Sequence, residues 1–293
     1  MRGRPPQSRV WKVRKMAEKP KRQVQRLQLD AIKKRMSHVK HKVVIMSGKG
    51  GVGKSTVAAN LAVVLAEMGR KVGLMDADFH GPSIPKILGV QGIQPQVGPT
   101  GIYPVIAERG VRVISIDFFL PSGDSPVIWR GPLKMSAIRQ FLSDVEWGEL
   151  DYLLVDLPPG TGDEPLSVMQ LIPGIDGVVI VTAPSDLSQY VVKKAVSMAN
   201  RVGVRVIGIL ENMSGFVCPN CGARFNLLGS GGGEKISVDM GVPFLGRIPI
   251  DPSISEDTDQ GTPFTLNHPD SPATKAFKEI VERIVKAVEG ESA

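Results

Sequence analysis

Residues 47–56 read Ser-Gly-Lys-Gly-Gly-Val-Gly-Lys-Ser-Thr, and this segment constrains the fold of the chain more than any other. It follows the β-branched run 43–45 and precedes an Ala- and Leu-rich stretch, 57–68, with the composition of a helix. The segment fits the pattern G-x-x-x-x-G-K-[ST], in which backbone N–H groups surround the phosphates of a nucleotide. Glycines are needed because the backbone must curl around a phosphate at distances that a Cβ would prevent. The pattern therefore predicts a strand, a phosphate-binding loop and a helix whose N-terminus faces the anion.

The predicted roles in this loop follow from the chemistry of its side chains. Lys54 is expected to contact the β- and γ-phosphate oxygens, and the Ser55 hydroxyl is expected to ligate Mg²⁺. The predicted nucleotide-binding residues of the loop are Gly48, Lys49, Gly50, Gly51, Val52, Gly53, Lys54, Ser55 and Thr56.

Lys49 adds a second lysine directly after the first glycine of the loop. The resulting stretch, Gly-Lys-Gly-Gly-Val-Gly-Lys-Ser, resembles the deviant Walker A loop of the SIMIBI-class ATPases, which include MinD, ParA, ArsA and the nitrogenase iron protein. In those families the additional lysine reaches across a nucleotide-sandwich dimer to the partner's phosphates. The resemblance implies an ATPase that acts as a face-to-face homodimer, in which Lys49 and Lys54 are both catalytic. A solvent-exposed lysine without a role is the alternative.

Short β-branched runs alternate with helical stretches from residue 43 onward, which is typical of a parallel sheet covered by helices on both faces. We therefore predict an α/β fold with a doubly wound, mostly parallel sheet flanked by helices, as in a P-loop NTPase. Predicted strands are 42–46, 71–75, 111–116, 152–155, 177–182, 205–211 and 244–248. Predicted helices are 54–68, 132–144, 163–171, 187–202, 233–240 and 272–289. Residues 91–110 are expected to form an irregular insertion or a small hairpin, because they are rich in Gly, Pro and Gln.

Aspartates lie at the ends of two predicted strands. Asp156 follows the apolar run 153–155, as expected for a Walker B carboxylate near Mg²⁺, and the turn-rich segment 158–164 after it is a candidate γ-phosphate switch. Asp76 and Asp78 follow another strand, and side chains two positions apart in an extended chain point to the same side. Asp76 is expected near Mg²⁺ or the loop lysine, and the resemblance to the deviant Walker A ATPases implies that Asp78 positions or activates the attacking water. Helix capping by Asp78 is the alternative.

Asn212 closes the apolar strand 205–211. Its amide group carries a donor and an acceptor side by side, which matches an adenine edge. In related ATPases an asparagine at this strand end contacts the base, so Asn212 is the candidate base-binding residue. The turn 249–252 is expected to form another wall of that site.

Cys218 and Cys221 form a Cys-x₂-Cys pair in the loop after that strand, and they are the two cysteines of the chain. This spacing lets both sulfur atoms converge on one metal, but two ligands are half of a tetrahedral set. A two-fold dimer would supply the other half, and four thiolates suit either a [4Fe–4S] cluster or zinc. A redox-active or inert pair is the third alternative.

The charge of the chain is unevenly distributed. Residues 1–42 hold 15 Lys and Arg against two acids, so residues 43–293 carry a net charge of −6 although the whole chain carries +7. We expect 1–41 to be a basic, flexible tail, with 23–36 its most helical part, and 42–293 to be the ATPase domain. Deletion of residues 1–40 is expected to leave the nucleotide site and the cysteine site intact. A solubilising or partner-docking role is favoured for the tail, and nucleic-acid binding is the weaker alternative, because Trp11 is its one aromatic residue.

No apolar run approaches the roughly 20 residues of a membrane span, and the N-terminus lacks the apolar region of a secretory signal. We therefore expect a cytoplasmic protein without a membrane partner. The apolar stripe of the predicted helix 272–289 is expected to pack on the core rather than to anchor the chain to a membrane.

Taken jointly, the motifs resemble the Mrp/ApbC (Nbp-like) family of iron–sulfur cluster carriers. The resemblance spans residues 42–288 and rests on the phosphate loop, Asp-Ala-Asp-Phe-His-Gly-Pro-Ser at 76–83, Trp-Arg-Gly-Pro at 129–132, Asp-Leu-Pro-Pro-Gly-Thr-Gly-Asp-Glu at 156–164, the stretch 211–222 and the glycine-rich run 229–234. It implies a slow ATPase that binds a [4Fe–4S] cluster between two subunits at Cys218 and Cys221 and transfers it to apo-proteins, with a cluster scaffold as a further partner. The tail lacks the additional cysteines of some eukaryotic members.

Two other functions are compatible with these motifs. One is a ParA- or MinD-like positioning ATPase that acts on DNA or membrane, with zinc at the cysteine pair. The other is an electron-transferring ATPase like the nitrogenase iron protein, which would hold its cluster tightly and cycle its redox state.

Overall fold

The computed structural model of the chain describes residues 21–120, 131–218 and 221–290. The predicted tail up to residue 20 lies outside these ranges, as do two residues of the Trp-Arg-Gly-Pro motif, Trp129 and Arg130.

An eight-stranded sheet forms the centre of the described residues. In chain order its strands are β1 (Val39–Ser47), β2 (Val72–Asp76), β3 (Val105–Ile106), β4 (Arg112–Ser115), β5 (Leu150–Asp156), β6 (Gly177–Thr182), β7 (Val206–Glu211) and, after a separate small hairpin, β10 (Phe244–Arg247). Their spatial order is β10-β7-β6-β1-β5-β2-β4-β3, and only β3 at the edge runs antiparallel to its neighbour. The predicted doubly wound, mostly parallel sheet is confirmed.

The central parts of the strands are apolar because helices cover both faces of the sheet. In the central strand β1 the side chains of Val43, Val44, Ile45 and Met46 are fully buried. The helices are α1 (Lys21–Met36), α2 (Lys54–Glu67), α3 (Ile84–Ile87), α4 (Gly131–Ser143), α5 (Asp163–Leu171), α6 (Asp186–Arg201), α7 (Gly232–Met240), α8 (Pro252–Gln260), α9 (Phe264–Asn267) and α10 (Pro272–Glu289). The small hairpin between β7 and α7 pairs β8 (Phe216–Val217) with β9 (Arg224–Phe225).

The seven predicted strands and six predicted helices are all present, with bounds that differ by no more than a few residues. The short elements β3, α3, α8, α9 and the β8–β9 hairpin were not predicted. In the segment 91–110, Val97 and Ile102 form an isolated antiparallel bridge and β3 joins the sheet edge.

The segment assigned to a flexible tail differs from expectation between residues 21 and 41. Helix α1 packs against α4, and Ile32, Met36 and Val39 are each no more than 3% exposed. The guanidinium of Arg35 donates a hydrogen bond to the Ser143 carbonyl oxygen (3.2 Å) and forms an ion pair with Glu146. The high proportion of basic residues hid two buried apolar side chains one helical turn apart, which is enough to seat a helix.

Helix α10 buries Phe277, Ile280, Val281 and Ile284, so its apolar stripe packs on the core as predicted. Among the described helices, none combines the length and the apolar character that crossing a bilayer requires.

Candidate nucleotide site and cysteine hairpin

The phosphate loop joins the carboxyl end of β1 to α2, in the middle of the sheet edge. Gly53 is the residue before α2 and has φ 76°, a conformation that favours glycine. A Cβ at Gly53 would lie 2.4 Å from Nδ2 of Asn212, so the close approach also requires glycine. The loop encloses a cavity of 230 Å³ whose lining includes Lys49, Lys54 and Ser55.

Lys54 and Ser55 both contact the buried carboxylate of Asp156. Lys54 Nζ lies 2.5 Å from Asp156 Oδ1, and Ser55 Oγ donates to Asp156 Oδ2 at 2.5 Å. Lys54 is 6% exposed and Asp156 is fully buried, so the two opposite charges compensate each other away from solvent. The predicted phosphate-binding lysine, the predicted Mg²⁺ ligand Ser55 and the strand-end carboxylate are thus brought together.

Asp76 lies beside Asp156, because β2 and β5 are neighbours with these residues in register. Ser115 Oγ donates to Asp76 Oδ2 (3.0 Å), and the Asp78 backbone N–H donates to Asp76 Oδ1 (3.1 Å). Burial, and secondly the charge of Asp156, raise the pKa of the Asp76 carboxyl to about 8. Burial also raises the pKa of Asp156, and the adjacent Lys54 opposes that rise. Two buried carboxyl groups side by side form a site that a cation would stabilise.

Asp78 lines the phosphate cavity and does not cap a helix. Its Oδ1 accepts hydrogen bonds from the backbone N–H groups of His80 (3.0 Å) and Gly81 (3.3 Å), which hold the carboxylate in one orientation. Helix α3 begins later, at Ile84.

The candidate switch segment meets the phosphate loop directly. Pro159 lines the phosphate cavity, and the backbone N–H of Gly160 donates to the Ser47 carbonyl oxygen at 3.0 Å. At the end of the segment, Glu164 accepts a hydrogen bond from Lys134 Nζ at 2.9 Å. Lys134 is buried in α4 and also lies 2.5 Å from His80 Nε2, so it connects the switch segment to the Asp78 turn.

Lys49 is partly exposed at the rim of the phosphate cavity. Its backbone carbonyl oxygen accepts from Ser47 Oγ at 2.9 Å. In the described residues its ammonium group makes neither a hydrogen bond nor an ion pair.

A second cavity, of 350 Å³, adjoins the first and shares Gly53 and Thr56 with it. The rest of its lining comes from the residues after β7 and β10, from α8 and from the segment between β9 and α7: Asn212, Met213, Leu228, Pro249, Ile250, Asp251, Pro252, Ile254, Ser255 and Thr258. Asn212 is therefore at the expected place, and the turn 249–252 forms the expected wall. Asn212 Nδ2 donates to the Val52 carbonyl oxygen at 2.9 Å, so this residue also fixes the phosphate loop.

The residues present fit a nucleotide with Mg²⁺. The first cavity offers backbone N–H groups and Lys54 to phosphates, and the adjoining one is mostly apolar, as a base requires. A serine hydroxyl and carboxylates are the hard oxygen ligands that Mg²⁺ prefers, usually together with substrate phosphates and water. No group of three or more His, Cys, Asp and Glu side chains in the described ranges is arranged to hold a metal without such help.

The cysteine pair sits at the tip of the β8–β9 hairpin. The Cys218 backbone N–H donates to the Ala223 carbonyl oxygen and that of Gly222 to the Cys218 carbonyl oxygen, both at 2.9 Å, which closes the tip. Cys218 is partly buried and Cys221 is exposed. Three large apolar side chains at the end of β9 and directly after it, Phe225, Leu227 and Leu228, are about half exposed or more.

Three features of the site were not predicted: Ser115, the Lys134 contacts and the part of the second cavity that α8 provides. Ser115 is the last residue of β4, just as Asp76 and Asp156 are the last residues of their strands. Considering every polar residue at a strand end, and not only the acids, would have identified it. A lysine within a helix carries no comparable signal, because most such lysines are solvated.

The model of the NUBPL iron-transfer P-loop NTPase family matches residues 38–285. The chain belongs to this family. A relative from Methanocaldococcus jannaschii, named iron-sulfur cluster carrier protein, is 57% identical over 259 residues, which cover 88% of this chain and 89% of the relative. The resemblance to cluster carriers of the Mrp/ApbC type is thereby confirmed.

Two solved structures illustrate the fold. A nucleotide-binding protein from Archaeoglobus fulgidus in complex with ADP, with cobalt found by PIXE, is 45% identical with a TM-score of 0.73. That match covers 80% of this chain and 92% of the other. The septum site-determining protein MinD from Pyrococcus horikoshii, complexed with Mg-ADP, is 26% identical with a TM-score of 0.65, over 87% of this chain and 99% of MinD.

Proposed function

We propose that this protein is an ATP-hydrolysing iron–sulfur cluster carrier: two copies bind one [4Fe–4S] cluster between their cysteine hairpins and deliver it to apo-proteins. The observation that carries the proposal is the placement of the Cys-x₂-Cys hairpin directly after β7, the strand whose following residue, Asn212, contacts the phosphate loop. The carrier name of the relative that is 57% identical supports the same function.

The nucleotide end would work through charge placement. Lys54 would bind the β- and γ-phosphate oxygens, and Ser55, Asp76 and Asp156 would hold Mg²⁺, which would neutralise phosphate charge. Asp78, oriented by its two backbone N–H donors, positions the attacking water. Asn212 and the turn 249–252 contact the base. ADP in the Archaeoglobus fulgidus structure and Mg-ADP in MinD support this assignment of the two cavities.

The homodimer would complete both sites. The Lys49 ammonium has no partner in the described residues, so it is available to reach the partner's phosphates and stabilise the transition state. Cys218 and Cys221 provide two thiolates per chain, and a two-fold axis between hairpins brings four together. Nucleotide binding that changes the dimer geometry then changes the affinity for the cluster.

The reducing cytoplasm is the proposed location, because it keeps both thiols available for the cluster. The proposed partners are a second copy of the chain, a scaffold that loads the cluster and apo-proteins that receive it.

A positioning ATPase with zinc at the cysteines is the second candidate, favoured only by the MinD-like fold and the basic N-terminal segment. Metal analysis distinguishes the two functions, because a carrier binds iron and sulfide whereas the alternative binds zinc.

Anaerobic reconstitution followed by iron, sulfide and zinc quantitation tests the proposal. We expect one four-iron cluster per two chains, and transfer of that cluster to an apo-acceptor. Cys218→Ala and Cys221→Ala should each abolish cluster binding and leave ATP binding intact, because one substitution removes two of four ligands. Arg224→Ala, an exposed change on the same hairpin, is the matched control and should retain the cluster. A full cluster per monomer, or an undiminished cluster in Cys218→Ala, contradicts the bridged site.

A further inference from the structure

Glu211 is a buried carboxylate that the nucleotide site does not use. It is the last residue of β7 and is fully buried. Its Oε1 accepts hydrogen bonds from the Gly231 backbone N–H (2.8 Å) and from Ser214 Oγ, and its Oε2 accepts one from the Gly233 backbone N–H. The Arg247 guanidinium Nε lies 3.6 Å from Oε1 and balances part of the charge.

These donors are the two ends of the cysteine hairpin. Ser214 begins the outgoing limb, and Gly231 and Gly233 end the returning limb at the start of α7. The returning limb lies against the β6–α6 connection, since a Cβ at Gly232 would come within 2.5 Å of the Pro184 carbonyl oxygen. One carboxylate therefore clamps both ends of the segment that carries Cys218 and Cys221.

The outgoing limb has further support from the β10 side. The Ser214 backbone N–H donates to the Ile248 carbonyl oxygen (2.9 Å), and that of Ile250 donates to the Gly215 carbonyl oxygen (2.7 Å). Between residues 226 and 233 the returning limb makes no long-range backbone–backbone hydrogen bond within the described residues. Besides the contact between the Ser230 and Ser214 hydroxyl groups (3.3 Å), it is hydrogen-bonded to the sheet through Glu211. Hydrogen bonds to a buried carboxylate are stronger and more directional than those to a neutral acceptor.

The same strand end reaches the phosphate loop. Asn212, the next residue, donates from Nδ2 to the Val52 carbonyl oxygen, and its backbone N–H donates to the Thr182 carbonyl oxygen at 2.7 Å. Asn212 therefore connects Val52 of the phosphate loop to its chain neighbour Glu211.

We propose that Glu211 is a positioning residue that couples the cysteine pair to the phosphate loop: it fixes both limbs of the hairpin at the end of β7 while Asn212 follows the loop. This inference deepens the proposed function and rests on it for its biological purpose. The dependence of the thiol positions on Glu211 and on the nucleotide does not require that the metal bound by the thiols be known.

Alkylation of the metal-free protein by iodoacetamide tests this coupling without any cluster. Because Cys218 and Cys221 are the only cysteines of the chain, all labelling reports on the hairpin. In the wild type we expect Mg-ADP to change the labelling rate. In Glu211→Gln we expect about ten-fold faster labelling, because a neutral amide leaves buried N–H groups poorly paired. The effect of Mg-ADP should disappear in this variant, while its affinity for Mg-ADP stays within about three-fold of wild type, since Asn212 is retained.

Asp176→Asn is the matched control, because Asp176 accepts a hydrogen bond from the Lys42 backbone N–H at the opposite edge of the sheet. It should leave both labelling and its response to Mg-ADP unchanged. Wild-type labelling with a wild-type nucleotide response in Glu211→Gln overturns the proposal, as does a wild type that does not respond to Mg-ADP.

Hydrogen exchange on the wild type keeps the proposal testable if Glu211→Gln does not fold. The amides of Gly231 and Gly233 should exchange as slowly as those of β7, and exchange at the rate of an exposed loop overturns the clamp. A wild type that takes up no cluster refutes the proposed function, whereas the labelling and exchange results still decide the role of Glu211.

Discussion

The phosphate loop and the cysteine hairpin lie near the same edge of the sheet, but they are built in opposite ways. Around the phosphate loop, Lys54, Asp76 and Asp156 are buried and held by hydrogen bonds within one chain. In the cysteine hairpin, Cys221 at the tip is exposed, and Leu227, which follows β9, is 63% exposed. The first region is a buried, hydrogen-bonded arrangement within one chain, and the second would supply half of the ligands in the proposed dimer.

This difference matches the chemistry of the two ligands. Phosphate charge is stabilised best by dipoles and cations that need no rearrangement, so a rigid, buried site is an advantage. A cluster that must be handed on has to be reached by an acceptor, which an exposed tip allows and a buried site does not. Glu211 and Asn212 join the rigid region to the accessible one.

Lys54→Ala is expected to have the largest effect. We predict at least about 100-fold weaker ATP binding, because a charged phosphate contact worth about 3 kcal/mol is lost. Cluster loading in the absence of nucleotide should persist. Calorimetric titration with ATP and iron quantitation measure the two regions separately. Because the substitution also removes the cationic partner of buried Asp156, thermal unfolding of the variant is the control for a loss of stability. Loss of the cluster together with the nucleotide would show that the regions are not separable.

Lys49→Ala should spare ATP binding and lower hydrolysis by about 10³-fold, as for a cationic group supplied in trans. The expected cause is the loss of charge stabilisation at the partner's phosphates. Mixing this variant with Lys54→Ala protein provides a decisive measurement. Mixed dimers hold one intact lysine pair across the interface and should recover part of the activity. Equal loss of ATP binding in both single variants contradicts a role across the dimer.

Asn212→Ala should weaken nucleotide binding about 3- to 10-fold, the expected consequence of losing one or two hydrogen bonds. The more informative readout is the response of cysteine labelling to Mg-ADP, which should decrease although both thiols and Glu211 are intact. Pro249→Ala changes the opposite wall of the same cavity and serves as the control. It should weaken binding without removing the response.

Deletion of residues 1–20 is expected to have the smallest effect, with ATPase activity and cluster loading within about two-fold of wild type, because every predicted site residue lies beyond residue 43. Deletion of 1–40 is a different experiment, since it removes the buried side chains of Ile32, Met36 and Val39. Each contributes about 1.5–3 kcal/mol by burial, so this longer deletion should lower the melting temperature markedly. Equal stability of the two deletions would show that α1 does not support the domain.

The nucleotide region could be predicted almost completely from the sequence. The glycine pattern of the phosphate loop requires local backbone conformations, and apolar runs that end in Asp76, Asp156 or Asn212 mark the carboxyl edge of a parallel sheet. Long periodic elements are specified by their own residues, which is why Gly177–Thr182, Asp163–Leu171 and Pro272–Glu289 have the predicted bounds.

The remaining features depend on residues that are distant in sequence. The high content of basic residues predicted a flexible segment up to residue 41, but Ile32 and Met36 are buried because α4, about 100 residues later, provides a surface for them. Lys134 is buried because Glu164 and His80 lie beside it.

The sequence by itself determined the fold class, the phosphate loop, the strand-end carboxylates and the pairing of two cysteines in one loop. Only the tertiary structure decided that α1 belongs to the domain, that α8 closes the second cavity, and that Glu211 holds both limbs of the cysteine hairpin. The physical reason is that periodicity and backbone torsion are local properties of the chain, whereas the burial of a polar group depends on which donors and acceptors folding brings to it.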